Sequence, residues 1–506
     1  VRFPPSGRRR LPPIELLEEP PVDRQKVDPA ELEANSRRLE DKLRNLGISA
    51  RVVRTVPGPV ITRYDLEPSA EVKISRIASL ADDIAMALRA RGVRILAPIP
   101  GESLVGVEIP NRHPETVYIR EVVGSDTFRS SSGILTLALG REANGSIFCT
   151  DLARMPHLLI AGATGSGKSV CVNVIITSLL YRSDPRDVRL LLIDPKKLEL
   201  SHYARLTLHH LVTPPGIDEE VVTTPDNAVK ALKSVHLEME RRYAVLAEAG
   251  VRGLEEYNRW IESTAPSDPC EETRERLPYL VVVIDELADL MIVMRREFED
   301  LVARLAQMAR AVGIHLVVAT QRPSVDVVTG LIKANFPSRI AFQVASGHDS
   351  RTIIGCNGAE ALLGRGDMLF QGPGIPHLVR LHGALLTTEE VESVVEFVRA
   401  QPPCESAFTL PDFEAGPLPI GADADGDRPE LQPGTDNLFA EAAKIVVNTE
   451  QGSITMIQRR LRVGYARAAR LIDELERAGI VGPFDSSKAR QVLVTPEELR
   501  ERFGIE

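Results

Sequence analysis

Cysteine, aromatic residues and long apolar runs are all scarce in this chain of 506 residues, and each scarcity closes off a class of protein. The five cysteines, at 149, 171, 270, 356 and 404, are scattered, odd in number and without metal-ligand spacing. That argues against a disulfide framework and against a zinc site, and it suits a reducing cytosol. The ten histidines show no paired ligand spacing either. No apolar run approaches the roughly 18 residues needed to span a bilayer, and the N-terminus has no signal-peptide pattern. The expected location is therefore the cytoplasm, with no membrane contact from this chain itself. It begins with Val1, as a fragment of something longer would.

Positive charge is also short overall: the formal net charge is -10, which on its face speaks against a nucleic-acid partner. The deficit is uneven. Residues 402–436 are rich in Pro, Gly and Asp and carry eight acidic residues against the single Arg428, the composition of a flexible acidic linker. Residues 437–495 carry nine Lys/Arg against six Asp/Glu, so the linker hides a basic C-terminal module. At the other end, residues 1–27 are Pro-rich, basic at Arg8-Arg9-Arg10 and then acidic, and read as a tether.

What is present begins with AGATGSGKSV, residues 161–170. It follows the apolar run ending at Ile160 and opens onto a segment with helical spacing, so it is a strand, a turn and a helix. Gly162, Gly167, Lys168 and Ser169 fit the phosphate-loop pattern, with Ala163, Thr164, Gly165 and Ser166 in the turn and Val170 opening the helix. Such a turn directs backbone N–H groups at phosphate oxygens, at the positive end of the helix. Lys168 is the expected partner of the β- and γ-phosphates, and the Ser169 hydroxyl an expected Mg²⁺ ligand. A helix start behind an ordinary Gly/Ser turn is the plainer alternative.

From about 126 to 401 strands and helices alternate, which predicts a largely parallel sheet. Polar residues mark the strand ends RLLLIDPK, LVVVIDE and HLVVATQRP, where nucleotide chemistry sits in open α/β sheets. Asp285 is the expected second Mg²⁺ ligand and Glu286 the base that deprotonates the attacking water; each could instead be a helix N-cap. Gln321 is placed to sense the γ-phosphate, or else to bond backbone at a strand end. Arg365-Gly366-Asp367 reads as a turn. Ahead of this region, residues 28–125 form a small α+β domain: a helix from Asp28-Pro29 to about Gly47, strands flanking Gly58-Pro59, a helix over about 72–91 and two further strands.

The C-terminal module, 437–506, reads as three helices and a β-wing, IVGPFDSSKARQVLV. Its third helix, GYARAARLIDELERAG, puts Arg467, Arg470 and Asp473 on one face, as the recognition helix of a winged helix-turn-helix would. Arginine there binds guanine O6/N7, which suits a G-rich site. Arg459 on the second helix and Lys488 in the wing are further expected DNA contacts.

LARMPHLLIAGATGSGKSV, LLLIDPKKLELSHY, EMERRY, LPYLVVVIDELADLM, ARLAQMARAVGIHLVVATQRPSVDVVTGLIKANFPSRIAF and GAEALLGRGDML together resemble the FtsK/SpoIIIE family of hexameric double-stranded DNA translocases, from about residue 30 onward. The resemblance implies a small α domain, a RecA-like P-loop ATPase domain and a winged-helix γ domain. It implies ATP and Mg²⁺, duplex DNA as partner, a homohexamer, and site-specific recombinases meeting the γ domain. It also implies chromosome pumping during division or sporulation, with full-length members commonly anchored in the inner membrane at the division septum. Arg339, in FPSRIAF, resembles the arginine offered to a neighbouring subunit's ATP, and Arg351, in SGHDSRTI, a pore-facing DNA contact. Gly347 stands where the family often has lysine, and Ala466 where γ domains commonly have asparagine. The segment over about 216–228 is longer than usual. Two other readings stay open: a protein-export ATPase of the type VII secretion kind, which would not be expected to end in a winged helix, and a non-hydrolysing DNA-binding scaffold, which would lose Lys168 or Glu286.

Overall fold

The computed structural model describes residues 9–21, 28–90, 92–263, 275–404, 408–413, 438–449, 452–461, 468, 471–472, 474–476, 478–482 and 490–503. Contacts divide the chain into two compact units, 1–420 and 421–506, each with its own core. Among the described residues no helix is long and apolar enough to cross a membrane.

Unit 1 opens its folded part with the helix Pro29–Asn45. Asp28 caps it by accepting the Ala30 N–H at 2.9 Å, and proline at the first position costs nothing because that N–H has no intrahelical partner. Leu39 and Leu43 of this helix pack on a four-stranded antiparallel sheet of order β1-β2-β4-β3, from β1 (Ala50–Pro57), β2 (Ile61–Pro68), β3 (Arg94–Leu96) and β4 (Val105–Pro110). The helix expected over 72–91 is two, Ile74–Ala78 and Ala81–Leu88. At the break the Ser79 hydroxyl donates to the Arg76 carbonyl at 2.9 Å, a local bond that competes with helix continuation.

The larger part of unit 1 is a nine-stranded sheet of β5 (Thr136–Glu142), β6 (Ile147–Asp151), β7 (His157–Ala161), β8 (Val188–Ile193), β9 (Tyr279–Ile284), β10 (Ile314–Thr320), β11 (Ser338–Phe342), β12 (Asp367–Gln371) and β13 (Val379–Gly383), in the order β6-β5-β13-β12-β11-β7-β10-β9-β8. The run β8-β9-β10-β7-β11 is parallel; the other four strands extend it antiparallel. Alternate residues of the parallel strands go to opposite faces. Leu158, Leu190, Val281 and Val317 pack with the helices Lys168–Leu180 and Thr388–Arg399; Leu159, Leu191, Val282 and Val318 pack with Pro225–Glu248 and Leu287–Met308. Burial on both faces is why these strands read as continuous apolar runs rather than alternating ones. The long segment after β8 runs back along its free edge, with Leu211 bridging Leu190 and Val222 bridging Ile193, so an edge strand is covered.

Three boundaries differ from those read in the sequence. Ile119, Val122, Val123 and Phe128 belong to the core of the large sheet, so the small domain closes with β4 and the following segment, ahead of residue 125. Residues 9–20 are a docked strap rather than a tether: Leu17 is 2% exposed in the same core, the Tyr181 hydroxyl donates to the Pro13 carbonyl at 3.0 Å, and Arg120 donates to the Leu17 carbonyl at 2.8 Å. The first part of the expected acidic linker is docked as well. Leu410 is 1% exposed in the opposite core, and Ser234 donates to the Pro411 carbonyl. Apolar burial overrides the loop-like composition of both segments.

Unit 2 gathers Ala442, Val446, Ile457, Leu471, Ile472, Leu475 and Val481 into one core, with described helices Phe439–Thr449, Ile454–Leu461 and Pro496–Phe503. Antiparallel bridges Gly452 to Arg490 and Val481 to Val492 supply the described β element.

Candidate active site

The phosphate loop joins β7 to the helix Lys168–Leu180, and two of its glycines are required by space. A side chain at 162 would bring its Cβ to 2.5 Å of the Phe342 Cβ, and one at 167, where φ is +116°, to 2.7 Å of the Gly366 nitrogen. The turn is tied down by the Ser166 N–H to the Ala163 carbonyl at 3.1 Å and the Ala163 N–H to the Gln343 carbonyl at 2.9 Å. The first N–H groups of the following helix have no intrahelical acceptor, so they form a cradle that fits a phosphate. Ser169 and Val170 stand in its first turn.

β10 lies between β7 and β9, and this order brings the candidate groups together. Lys168, 3% exposed, donates to the Asp285 carboxylate at 2.7 Å and to its carbonyl at 2.8 Å. Burial raises the Asp285 carboxyl above its ordinary range, against the pull of the Lys168 ammonium. The second carboxylate oxygen of Asp285 is buried and has no partner among the described residues. An orphaned carboxylate oxygen of that kind suits an Mg²⁺ ligand.

Glu286 is 1% exposed and its carboxylate is fully engaged. It accepts the Thr320 hydroxyl at 2.7 Å, the Gln321 N–H at 3.1 Å and the Lys196 ammonium at 3.2 Å. It also caps the helix Leu287–Met308 by accepting the Ala288 N–H at 3.3 Å. The capping role is thus filled, while the second oxygen of the same carboxylate holds Lys196 and the Gln321 N–H. The side-chain oxygen of Gln321 accepts the Thr164 hydroxyl at 2.9 Å, which ties the end of β10 to the phosphate loop.

Lys196 and Thr320 carry no role in the sequence reading. The signal for Lys196 was in view, because Asp194-Pro195-Lys196 ends β8 as Asp285-Glu286 ends β9. Asp194, fully buried, accepts the N–H groups of Lys196, Lys197, Glu199 and Leu200 at 3.0–3.1 Å and so shapes the loop that delivers the lysine.

Arg339 stands apart from this group. Its guanidinium donates to the carbonyls of Phe336 at 2.9 Å, Ile353 at 3.3 Å and Lys333, closing the ends of two helices of its own chain. Burial without a carboxylate partner pulls its pKa down. Arg351 is exposed in the helix Gly347–Ile354 and donates to the Asn357 side chain. A Cβ on residue 347 would lie 3.1 Å from that same Asn357 oxygen, a tight contact with a side chain that can shift. Arg459 lies on the helix Ile454–Leu461, its side chain outside the described residues; Arg467, Arg470, Asp473 and Lys488 lie outside them altogether.

A cleft of about 2220 Å³ runs from the phosphate loop to the small domain, lined by Lys168, Ser169 and Gln321 on one side and Asn35, Arg38 and Arg112 on the other. Single small-molecule sites hold roughly 300–1,000 Å³, so a mononucleotide would fill one end of it.

Three family models match the chain: "FtsK alpha domain" over 11–111, "FtsK/SpoIIIE family" over 118–325 and "Ftsk gamma domain" over 434–495. The protein named DNA translocase FtsK from Halalkalibacterium halodurans is 47% identical over 494 residues, covering 98% of this chain and 60% of that protein. Its counterpart in Caldanaerobacter subterraneus is 47% identical over 496 residues, covering 98% of this chain and 66% of that one. This chain therefore spans about 60 to 66% of the length of these relatives. Among solved structures it is similar to the conjugation coupling protein TcpA (TM-score 0.48, 22% identity, 72% of this chain and 99% of that one) and to the type VII secretion ATPase EccC of Thermomonospora curvata (TM-score 0.48, 22% identity, 58% and 36%). With all three family models in order along it and near-half identity to these relatives over almost its full length, the chain belongs to the FtsK/SpoIIIE family.

Proposed function

We propose that this chain is the motor and DNA-reading part of an ATP-driven double-stranded DNA translocase. The observation that carries the reading is the junction of Lys168, Asp285 and Glu286 at the carboxyl ends of β7 and β9, with Thr320 at the end of β10 and Gln321 just beyond it bonded to Glu286, and Gln321 also bonded to Thr164 of the phosphate loop. The DNA substrate follows from the relatives named DNA translocase and from the γ-domain match.

In this reading the loop N–H groups take the phosphates of ATP, and Lys168 exchanges Asp285 for the β- and γ-phosphates. Ser169 and Asp285 would hold Mg²⁺, which neutralises phosphate charge and aligns the leaving group. Glu286 takes a proton from the attacking water, and Gln321 orients that water. Both must first loosen present contacts: Glu286 that to Lys196, Gln321 that to Thr164. Arg339 is offered to the neighbouring subunit's site in a homohexamer, and must leave three carbonyls to reach it. Pore contacts such as Arg351 go to phosphates, because a pump moves along any sequence. Arg459, Arg467, Arg470, Asp473 and Lys488 belong to the γ module that reads short G-rich sequences and sets direction. Site-specific recombinases are its protein partners, the chain works on the cytoplasmic side of a septal membrane anchor, and the cargo is the chromosome during division or sporulation.

The test is ATP turnover with and without duplex DNA, beside displacement of a third strand from a DNA triplex. Stimulation of turnover by duplex and ATP-dependent displacement are expected. Turnover indifferent to DNA would instead fit an export motor, and absent turnover a scaffold.

A further inference from the structure

We propose that Arg365 is a same-subunit contact to the α- and β-phosphates of the bound nucleotide; the inference rests on the ATPase reading above. The loop Gly364-Arg365-Gly366 is joined to the phosphate loop by main chain, with the Gly366 N–H donating to the Ser166 carbonyl at 2.9 Å. It is anchored from behind: Asp367, buried, accepts Arg380 at 2.6 and 3.0 Å and the Leu363 N–H at 2.9 Å, and Arg380 continues to Glu108 of β4 at 2.8 Å. Arg365 therefore sits on a fixed base, one residue from a direct contact with the loop that cradles phosphate.

Its backbone is left-handed, φ +50°, between Gly364 at +76° and Gly366 at +93°. Glycine would be at ease at 365 too; arginine is there at some conformational cost. The side chain is exposed on the wall of the cleft shared with Lys168 and Ser169, and has no hydrogen-bond or ion-pair partner among the described residues. Charge balance calls for such a group. Lys168 and Lys196 already offset Asp285 and Glu286, so a bound polyanion adds negative charge that a further cation would meet, and Arg339 is committed to carbonyls elsewhere. A guanidinium suits phosphate oxygens through paired N–H donors. Position along the loop selects the phosphates. Thr164, bonded to Gln321 beside Glu286, marks the γ end, whereas Gly366 meets the loop at Ser166 and Gly167, next to the helix start.

The experiment is equilibrium binding of ATP, ADP and adenosine to the full chain and to Arg365→Ala, Arg365→Gly, Arg365→Lys and Lys168→Ala. Loss of Arg365 as Ala or Gly is expected to raise the Kd for ATP and ADP alike by about ten-fold and leave adenosine unchanged, with Lys recovering part of the loss. Arg365→Gly also relaxes the turn, so a matching loss in that variant cannot come from backbone strain. Unchanged ATP and ADP affinity in both the Ala and Gly variants, while Lys168→Ala binds weakly, would overturn the contact alone. An effect on ATP but not ADP would move Arg365 to the γ end and overturn the assignment made here. If the unaltered chain binds no ATP, or Lys168→Ala binds it equally well, the ATPase reading fails and this inference with it.

Discussion

Two lysine–carboxylate pairs sit side by side at the sheet's carboxyl edge, and they differ in exposure. Lys168 and Asp285 are both buried, so neither is released without a replacement of like charge. Lys196 is 35% exposed in its side chain and holds a buried Glu286, so it is the mobile member among the donors on that carboxylate. Glu286→Gln keeps the shape and the oxygen that caps the helix but cannot take a proton; ATP binding should persist while turnover falls about 10²- to 10⁴-fold. Near-normal turnover would remove Glu286 as base. Lys196→Ala leaves the second oxygen of Glu286 with the Gln321 N–H as its remaining donor and opens a place there for a water, so DNA-independent turnover should rise several-fold in a steady-state assay. A fall with and without DNA would mean instead that Lys196 orients the base. For Arg339, rings mixed from Arg339→Ala and Glu286→Gln subunits should recover activity above either alone, because one kind of interface combines an intact base with an intact arginine. No recovery in demonstrably mixed rings would leave Arg339 as the helix-closing group its own chain shows.

At the scale of elements, the straps at the two ends of unit 1 meet each other. Arg9 donates to the Pro402 carbonyl at 3.0 Å and pairs with Asp184 at 3.1 Å, and Gln401 exchanges hydrogen bonds of 2.8 and 2.9 Å with the main chain of Arg10. Downstream, Leu410 fills the core beneath the helix Pro225–Glu248, and the ring of Phe408 lies 5.4 Å from the buried Arg242 guanidinium, itself paired with Glu238 at 2.7 Å. Cutting the chain before residue 402 therefore removes core of unit 1 that a cut after Phe413 keeps. Thermal unfolding should show unit 1 ending at 401 less stable than unit 1 ending at 413, by about 2–5 kcal/mol for the buried leucine alone. Equal stability would mean the strap contributes no packing.

At the scale of the whole molecule, unit 1 is sensitive to acid through histidines it buries neutral. His157 and His315 lie side by side between β7 and β10 with ring centroids 6.3 Å apart, and His210 donates its Nε2–H to the Ser183 carbonyl at 3.2 Å. Burial pushes His157 down to about 3 and His315 and His210 to about 4. These pKa values are depressed on folding, so the unfolded chain takes up protons first as pH falls below about 6.5, and stability is lost between there and about 4, not regained. Each ring should contribute about 1 kcal/mol of loss at about pH 5.5. Melting temperature across pH 7.5 to 5 checks it, and a flat profile would contradict the buried neutral state. Unit 2 carries a separable prediction. Removing it should leave DNA-dependent turnover while abolishing directional bias at G-rich sites, and Arg470→Ala in the full chain should cost about 1–3 kcal/mol of discrimination at one base pair. Equal binding of unit 2 to G-rich and scrambled duplexes across a salt series would remove the reading role.

What could be read from the chain alone was whatever is local. The phosphate loop, the carboxylates at the end of LVVVIDE and the helix cap Asp28-Pro29 are set by spacings of a few residues, because strand, turn and cap geometry act over that range. The family blocks added the order of domains. Tertiary structure alone decided what depends on strand order and packing. Only with β10 lodged between β7 and β9 do Thr320 and Gln321 reach Glu286, and only with β8 next to β9 does Lys196 do so. Arg365-Gly366-Asp367 reads as a turn and is one, yet its place against Ser166 comes from an antiparallel strand pairing some 200 residues downstream. The straps show the same limit from the other side. Proline-rich and acidic composition describes a chain that need not fold, but Leu17 and Leu410 each find an apolar hollow made by distant helices, and burial of that surface outweighs the local preference.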